Sequence, residues 1–162
     1  MKKELSQELT LFVTSNYPYK NNIISSKPNI VTLGIGGNIG DVKRRFNKFF
    51  LTLKKDSRFH VVQTSPLLKN PPFGYLDQDD FLNGLIILKT SLSPIQLLNE
   101  MQRYENRFKR KRSFKDAPRT LDIDIIFFNN KKINTKRLIV PHNDWENRQS
   151  VTIPLSYLKA SF

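Results

Sequence analysis

The alternation of apolar and polar residues predicts a strand followed by an amphipathic helix. Residues 29–35 form a β-rich apolar run that stops at Gly36 and Gly37. In residues 41–53, apolar side chains recur at spacings that build one face of a helix. These positions are Val42, Phe46, Phe49, Phe50 and Leu53.

Two more strands and a second helix are predicted further along the chain. Residues 59–64 and 81–90 have strand patterns, and the Pro- and Gly-rich residues 69–80 between them are expected to be a loop. Residues 93–96, Ser-Pro-Ile-Gln, have the order of an N-cap, a first helical residue and a capping-box partner. We therefore expect a helix from residue 94, with Leu97, Leu98, Met101 and Tyr104 on one face.

A last strand completes the predicted order of elements. Residues 121–128 are strongly apolar except for Asp122 and Asp124. The Asn-Asn pair at 129–130 predicts a turn, and residues 133–140 are expected to return as an edge strand. The order β-α-β-β-α-β predicts an α+β fold, a ferredoxin-like sandwich whose mainly antiparallel sheet carries its helices on one face.

Length and composition set the limits of this domain. Residues 1–27 have little apolar periodicity, so we expect an N-terminal extension with a helical turn near residues 4–12, and a compact domain over residues 28–162. No apolar run approaches the ~20 residues that span a bilayer, and the cytoplasm is the expected compartment. The absence of Cys excludes disulfides, a thiolate nucleophile and a Cys-based zinc site.

The charge balance predicts an anionic partner. With 27 Lys and Arg against 14 Asp and Glu, the formal charge is +13, which fits nucleic acid, membrane headgroups or phosphorylated metabolites. Basic residues are densest over residues 103–119, where eight positive and two negative side chains leave a net +6. Such a run is either a solvated basic face or a site for phosphate oxygens.

Two carboxylates follow this basic run directly. Asp122 and Asp124 are two residues apart on a predicted strand, so both side chains point to one face of the sheet. They are either salt-bridged to Arg119 at a sheet edge or ligands for Mg²⁺, which takes few protein carboxylates and completes its shell with water and phosphate. Cations beside Mg²⁺ ligands are what phosphoryl or pyrophosphoryl transfer requires.

A second cluster has the chemistry to bind a flat heterocycle. It comprises residues 70–74, Asn-Pro-Pro-Phe-Gly, and residues 81–83, Phe-Leu-Asn. Phe81 can stack on a ring, and Asn83 offers a donor and an acceptor together. The alternative is a rigid loop that leads into a strand. The glycines of residues 34–40 fit a tight strand-to-helix turn rather than a Rossmann or P-loop nucleotide site.

Together these segments resemble the 6-hydroxymethyl-7,8-dihydropterin pyrophosphokinase family of folate biosynthesis. The likeness runs from about residue 30 to about residue 155. It rests on Leu-Gly-Ile-Gly-Gly-Asn at 33–38, Pro-Pro-Phe-Gly at 71–74, Asp-Gln at 77–78, Phe-Leu-Asn at 81–83, Gln-Arg at 102–103 with Glu105, Pro-Arg-Thr-Leu-Asp-Ile-Asp-Ile at 118–125, Val-Pro-His at 140–142 and Asn-Arg at 147–148.

The resemblance implies Mg²⁺-dependent transfer of pyrophosphate from ATP to 6-hydroxymethyl-7,8-dihydropterin, with release of AMP. It implies that Asp122 and Asp124 hold two Mg²⁺ ions and, with Arg110 and Arg119, carry the catalysis. The residues implied on the nucleotide side are Gln102, Glu105, Arg112, Ile125, His142 and Arg148. The residues implied on the pterin side are Asn38, Asn70, Pro72, Phe73, Phe81 and Asn83.

Three departures from the family pattern affect these expectations. The usual Gly-Ser-Asn is Gly-Gly-Asn at 36–38, and the usual Trp-Gly-Pro-Arg of the catalytic loop is Asp-Ala-Pro-Arg at 116–119. The second aromatic wall that commonly stacks on the pterin falls near Ser150, and Trp145 is a candidate replacement for it.

The alternative function is a nucleic-acid-binding ferredoxin-like module without catalysis, which the net charge and aromatic content favour. Such a module has no use for two adjacent carboxylates, which repel phosphate unless Mg²⁺ intervenes. We expect the enzyme instead, as a monomer that binds neither nucleic acid nor membrane.

Overall fold

The computed structural model describes residues 1–109, 115–116 and 118–158. Its strands are β1 (Lys2–Glu4), β2 (Thr10–Phe12), β3 (Tyr19–Lys20), β4 (Asn29–Gly37), β5 (Phe59–Thr64), β6 (Leu67–Asn70), β7 (Phe81–Thr90), β8 (Asp122–Phe128), β9 (Ile133–Asn134) and β10 (Ile139–Val140). Its helices are α1 (Val42–Lys55), α2 (Pro94–Arg107) and α3 (Gln149–Ser156), with a 3₁₀ turn over Trp145–Asn147. Within these ranges, no helix combines the length and the apolar composition needed to cross a bilayer.

The predicted βαββαβ order is confirmed. β4 lies between β8, at one end of the main sheet, and β7, and it is antiparallel to both. β7 pairs on its far side with β5 along one half and with β6 along the other half. This is the strand order of a ferredoxin-like sandwich with an antiparallel sheet.

Both predicted helices form, and local chemistry caps each of them. At the start of α1, the Asp41 carboxylate accepts a hydrogen bond from the Arg44 N–H at 3.1 Å. At the start of α2, the Ser93 hydroxyl accepts from the Gln96 N–H at 3.3 Å, and the Gln96 side chain accepts from the Ser93 N–H at 2.9 Å. All five predicted apolar positions of α1 are buried, which confirms its inward face.

The two faces of the sheet are covered differently. Side chains of α1 and α2, among them Phe46 and Met101, pack on one face in a large apolar core. On the opposite face, Val151 of α3 packs against Leu85 and Ile126. The expectation that the helices share one face therefore holds for α1 and α2 but not for α3. Sequence periodicity does not predict α3, because its eight residues include a proline and bury only two side chains.

The N-terminal residues form strands, and the predicted helical turn near residues 4–12 is wrong. β1 and β2 form an antiparallel hairpin, and β2 pairs in turn with β6. A single helical turn has little stability of its own, whereas β2 gains backbone partners on both sides. Further along, β3 pairs with β5, and the fully buried Tyr17 donates a hydrogen bond to the Phe46 carbonyl at 2.9 Å.

Two other local predictions need correction. The loop expected over residues 69–80 begins later, because β6 extends to Asn70 and has β7 and β2 as partners. Residues 133–140 do not return as an edge strand of the main sheet, since β9 and β10 pair with each other. The Thr135 N–H donates to the Leu138 carbonyl at 3.0 Å and closes the tight turn between them.

A cluster of charged groups ties the end of α1 to α2. The carboxylate of Asp56, the C-cap of α1, accepts hydrogen bonds from the Arg58 guanidinium at 2.6 and 2.9 Å and from the Tyr104 hydroxyl at 2.6 Å. Arg58 also lies 2.8 Å from Glu100 of α2. The hydrogen bond from Arg58 holds the pKa of Asp56 well below its usual value. Burial, with the hydrogen bond to Asp56, raises the pKa of Tyr104 to about 12.

We expect Asp56→Asn to lower the free energy of unfolding by about 1 to 2 kcal/mol at pH 7. Because the folded-state pKa lies below the unfolded value of about 3.9, the carboxylate stabilises the fold above about pH 4 and loses this effect as the pH falls through the folded-state pKa. Urea unfolding at pH 7 and in the acid range measures the difference, with the exposed Glu8→Gln as a control. A difference that stays constant on acidification would contradict the assignment.

Candidate active site

The two carboxylates of β8 lie opposite glycines of β4. Gly36 is the Cα partner of Asp122, and Gly34 is the partner of Asp124. Paired residues share a face of the sheet, so no β4 side chain stands directly beside either carboxylate. The isoleucines that alternate with them are buried in the core on the helix side. The prediction that both carboxylates share one face is confirmed.

Each carboxylate faces a cationic or titratable side chain at a distance longer than a hydrogen bond. A guanidinium nitrogen of Arg119 lies 3.7 Å from an Asp122 oxygen, and Nε2 of His142 lies 3.7 Å from an Asp124 oxygen. The ion pair with Arg119, one of the two interpretations of the sequence, is therefore present. The ion pair does not exclude the other interpretation, Mg²⁺ binding, because 21% of the Asp122 side chain and 42% of the Asp124 side chain remain exposed.

This donor set suits a hard divalent cation. Carboxylate oxygens are the ligands that Mg²⁺ prefers, and Mg²⁺ is usually bound through one or two carboxylates, several waters and substrate phosphates. Within residues 1–109, 115–116 and 118–158, no group of three or more acidic or His side chains could hold a metal ion. Asp122 and Asp124 therefore fit an Mg²⁺ ion that arrives with a phosphate-bearing substrate.

The surroundings of the His142 imidazole favour its neutral form. Burial lowers its pKa below the ordinary value, and the charge of Arg148 lowers it further, while the charge of Asp122 opposes the shift. The ring is held beside Asp124 by a backbone bond from the His142 N–H to the Ile126 carbonyl of β8 at 2.9 Å. A neutral imidazole carries one donor and one acceptor nitrogen at this position.

A cavity opens on this face of the sheet beside the carboxylates. On its β6–β7 side, the Asn83 amide donates to the side-chain oxygen of Asn70 at 2.6 Å. The Arg148 guanidinium lies 5.5 Å from the centroid of the Phe73 ring. The residues with aromatic, charged or titratable side chains that line the cavity are Phe73, Phe81, Asp116, Arg119, Asp122, Asp124, His142 and Arg148. The predicted heterocycle cluster and the predicted carboxylate pair thus share one cavity.

The position expected for a second stacking ring is occupied by a small side chain. Ser150 lines the cavity. Trp145 packs edge-on against Phe127 with ring centroids 5.0 Å apart and is not a cavity residue, so it does not replace the missing wall. Among the described residues, Phe73 is the aromatic side chain that lines the cavity together with Phe81.

Asn38 joins three segments around the cavity and does not line it. Its side-chain nitrogen donates to the Gln78 side-chain oxygen and to the Asp79 carbonyl, each at 2.9 Å. Its side-chain oxygen accepts from the Arg119 N–H at 2.9 Å. Gln78 donates in turn to the Asp116 carbonyl at 2.8 Å. Asn38 therefore positions Arg119 and the loop that follows β6.

Close packing explains why Gly37 replaces the serine that is usual in the family. A Cβ atom at Gly37 would lie 2.7 Å from the carbonyl oxygen of Thr120. Arg45 of α1 donates to that same carbonyl at 2.9 Å and to the Ile39 carbonyl at 2.7 Å. The chain that enters β8 therefore lies too close to the glycine turn for a side chain at this position.

A second groove continues from the carboxylates toward the turn between β9 and β10. Residues 136–139 line it together with Leu98 and Ile125, and they include the cations Lys136 and Arg137. Both Asp124 and His142 border the groove as well as the first cavity. Asp124 therefore lies between an aromatic cavity and a groove that is partly basic and partly apolar.

Other residues implied on the nucleotide side lie elsewhere. Gln102 is exposed on α2 and lines neither the cavity nor the groove. Glu105 is buried, and its carboxylate accepts a hydrogen bond from the Ile123 N–H at 3.0 Å, so it holds β8 against α2. Arg110 and Arg112 lie outside the described residues.

Sequence reasoning missed several residues of the site. Four residues that the resemblance implies in the site line neither the cavity nor the groove, namely Asn38, Pro72, Gln102 and Glu105. The sequence places Gly34 in a strand and Gly36 at the turn that follows, but it does not relate their alternation along β4 to that of the carboxylates along β8. Residues 136–139 carry no local pattern that would single them out. Gln78 belongs to the Asp-Gln motif at 77–78, but its hydrogen bonds to Asn38 and Asp116 depend on contacts between distant segments.

The fold is a ferredoxin-like α+β sandwich, and its paired carboxylates line the cavity on one face of the sheet. A family model described as 7,8-dihydro-6-hydroxymethylpterin-pyrophosphokinase (HPPK) matches residues 32–160. The chain therefore belongs to the 7,8-dihydro-6-hydroxymethylpterin-pyrophosphokinase family.

Three curated relatives agree with this assignment, and each carries the name 2-amino-4-hydroxy-6-hydroxymethyldihydropteridine pyrophosphokinase. The protein of Campylobacter jejuni is 39% identical over 142 residues, which cover 88% of this chain and 90% of the relative. The protein of Helicobacter pylori is 44% identical over 136 residues, 83% of each chain. The protein of Bacillus subtilis is 38% identical over 128 residues, 79% of this chain and 77% of the relative.

Proposed function

We propose that this chain transfers the pyrophosphoryl group of ATP to 6-hydroxymethyl-7,8-dihydropterin in folate biosynthesis, with two Mg²⁺ ions. The hydroxymethyl oxygen forms a bond to the β-phosphorus of ATP, and the bond from that phosphorus to the oxygen of the α-phosphate breaks. AMP leaves, and the hydroxyl proton is released. The observation that carries the proposal is the position of the carboxylate pair, because Asp122 and Asp124 both line the aromatic cavity and Asp124 also borders the groove that holds Lys136 and Arg137.

The first cavity supports recognition of the pterin. Phe81 offers an apolar ring surface, and the amide groups of Asn70 and Asn83 offer donors and acceptors to the polar edge of a heterocycle. A cavity with aromatic walls and few polar groups is typical of sites for flat small molecules.

The second groove supports binding of the nucleotide. Leu98 and Ile125 offer apolar surface to a base, while Lys136 and Arg137 offer positive charge to phosphates. Arg119, held at its backbone by Asn38, places its guanidinium near Asp122, where it can stabilise negative charge on the transferred group. Asp122 and Asp124 would hold Mg²⁺, whose charge neutralises phosphate oxygens when it is bound.

A calorimetric titration tests the proposal directly. We expect the pterin to bind to the chain in the presence of Mg²⁺ and a non-hydrolysable ATP analogue, and single-stranded RNA to leave that binding unchanged. Failure to bind the pterin would contradict the proposed function. Displacement of the pterin by RNA would favour the nucleic-acid-binding alternative.

Gly36→Ala is expected to weaken pterin binding about tenfold, a loss of ~1.4 kcal/mol. A Cβ atom at this position would lie 2.6 Å from the side-chain oxygen of Asn83 and would push the amide out of its pair with Asn70. The same calorimetric titration measures the change. Gly34→Ala is the matched control, because its Cβ would meet the flexible end of Ile126 at 3.0 Å. Equal effects of the two substitutions would count against the role of Asn83.

A further inference from the structure

The N-terminal hairpin lies at one end of a row of residues that crosses the whole site. Leu11 is the Cα partner of Leu68, Leu68 of Asn83, Asn83 of Gly36, and Gly36 of Asp122. Because directly paired residues share a face of the sheet, these five residues form one row across β2, β6, β7, β4 and β8. The row runs from the hairpin to a carboxylate of the proposed reaction centre.

β6 depends on the hairpin for one of its two neighbours. This strand has only four residues, and it pairs with β7 on one side and with β2 on the other. Without β2, it would be a short edge strand, and short edges open easily. Burial adds to the backbone pairing, since Leu67 and Leu68 are fully buried and Leu11 is 4% exposed.

β6 carries a part of the cavity whose position is critical. Its last residue, Asn70, is the Cα partner of Phe81 and accepts the hydrogen bond from Asn83. The loop that holds Phe73 begins directly after it. A shift of β6 along β7 would therefore separate the amide pair and displace an aromatic wall together.

The hairpin is itself anchored to the rest of the fold. The ammonium group of Lys43 on α1 lies 3.7 Å from the centroid of the Phe12 ring at the end of β2. Shortly after β2, the Asn16 carbonyl accepts a hydrogen bond from the Thr64 hydroxyl of β5 at 2.6 Å, and Tyr17 is buried beneath α1. Because these contacts fix the hairpin to α1 and β5, its pairing with β6 also restrains β6 relative to the rest of the fold.

We propose that the β1–β2 hairpin is a positioning element for pterin recognition. By pairing with β6 and placing Leu11 beside Leu68, it holds the amide groups of Asn70 and Asn83 in the arrangement that receives the ring. Leu11 is a positioning residue and touches no substrate. The identity of the ligand rests on the proposed function. The hairpin precedes residue 32, where the match to the family model begins.

The test is Leu11→Ala in the full chain, with the pterin Kd measured by calorimetry in Mg²⁺ and a non-hydrolysable ATP analogue. We expect the Kd for the pterin to rise about tenfold and the Kd for the nucleotide analogue to change less than about twofold. The matched control is Val61→Ala in β5. Val61 is 3% exposed and pairs with Leu88, away from β6. It should lose comparable thermal stability and keep the wild-type pterin Kd.

An unchanged pterin Kd in Leu11→Ala, or an equal rise in Val61→Ala, would overturn the positioning role while leaving the proposed function intact. A wild-type chain that binds no pterin would overturn both. Should Leu11→Ala fail to fold, hydrogen exchange of the wild-type chain tests the proposal instead. If the hairpin stabilises the pterin site, bound pterin must stabilise the hairpin by the same free energy, because coupling between two sites is reciprocal. Pterin must then raise the protection of amides in residues 10–12, and unchanged protection there would overturn the proposal.

Discussion

Asp122→Asn and Asp124→Asn are each expected to lower the rate of AMP formation about a thousandfold or more. A loss of that size corresponds to ~4 kcal/mol of transition-state stabilisation. Asparagine keeps the size of the side chain but removes the charge that a hard cation requires. Chromatographic measurement of AMP released from ATP and pterin, at saturating concentrations of both, gives the rate for each variant.

The matched control is Glu146→Gln. This substitution neutralises an exposed carboxylate in the 3₁₀ turn that lines neither the cavity nor the groove. It should keep wild-type turnover, and the two aspartate variants should keep the wild-type circular dichroism spectrum. Near-normal turnover in either aspartate variant would remove the metal assignment. Partial recovery at raised Mg²⁺ would support a ligand role.

Arg119→Ala is expected to lower kcat about 10²- to 10³-fold with little change in pterin affinity. The guanidinium lies beside Asp122, where it would stabilise charge on the transferred group. The hydrogen bonds between Asn38 and Arg119 involve the Arg119 backbone N–H and carbonyl and not its side chain. The alanine variant therefore keeps the contacts that hold this segment. Arg119→Lys keeps the positive charge but lacks the planar guanidinium group, so its kcat should lie between those of the wild type and of Arg119→Ala. A raised KM with an unchanged kcat would contradict a role in the chemical step.

The parts of the fold that local pattern determines could be predicted from the sequence. α1 and α2 follow from helical spacing and from caps within a few residues of each start. The shared face of Asp122 and Asp124 follows from the two-residue period of a strand, and the register of β8 on β4 agrees with it.

The remaining parts depend on partners far away in the chain. β2 and β6 are short segments that become strands because they pair with each other across more than fifty residues, which no local window contains. Glu105 carries a charge that favours the surface, yet its carboxylate is buried because it accepts a backbone N–H of β8. Whether these segments form strands, and whether Glu105 is buried, therefore depends on their position in the fold rather than on residue type.

The identity of the nucleotide product tests the central claim most directly. The chain is incubated with ATP, Mg²⁺ and 6-hydroxymethyl-7,8-dihydropterin, and the nucleotides and pterins are separated and quantified. Pyrophosphoryl transfer at the Asp122 and Asp124 site predicts AMP and pterin diphosphate in equal amounts, both lost when Mg²⁺ is chelated. ADP with a pterin monophosphate, or AMP released at the same rate without the pterin, would contradict the account.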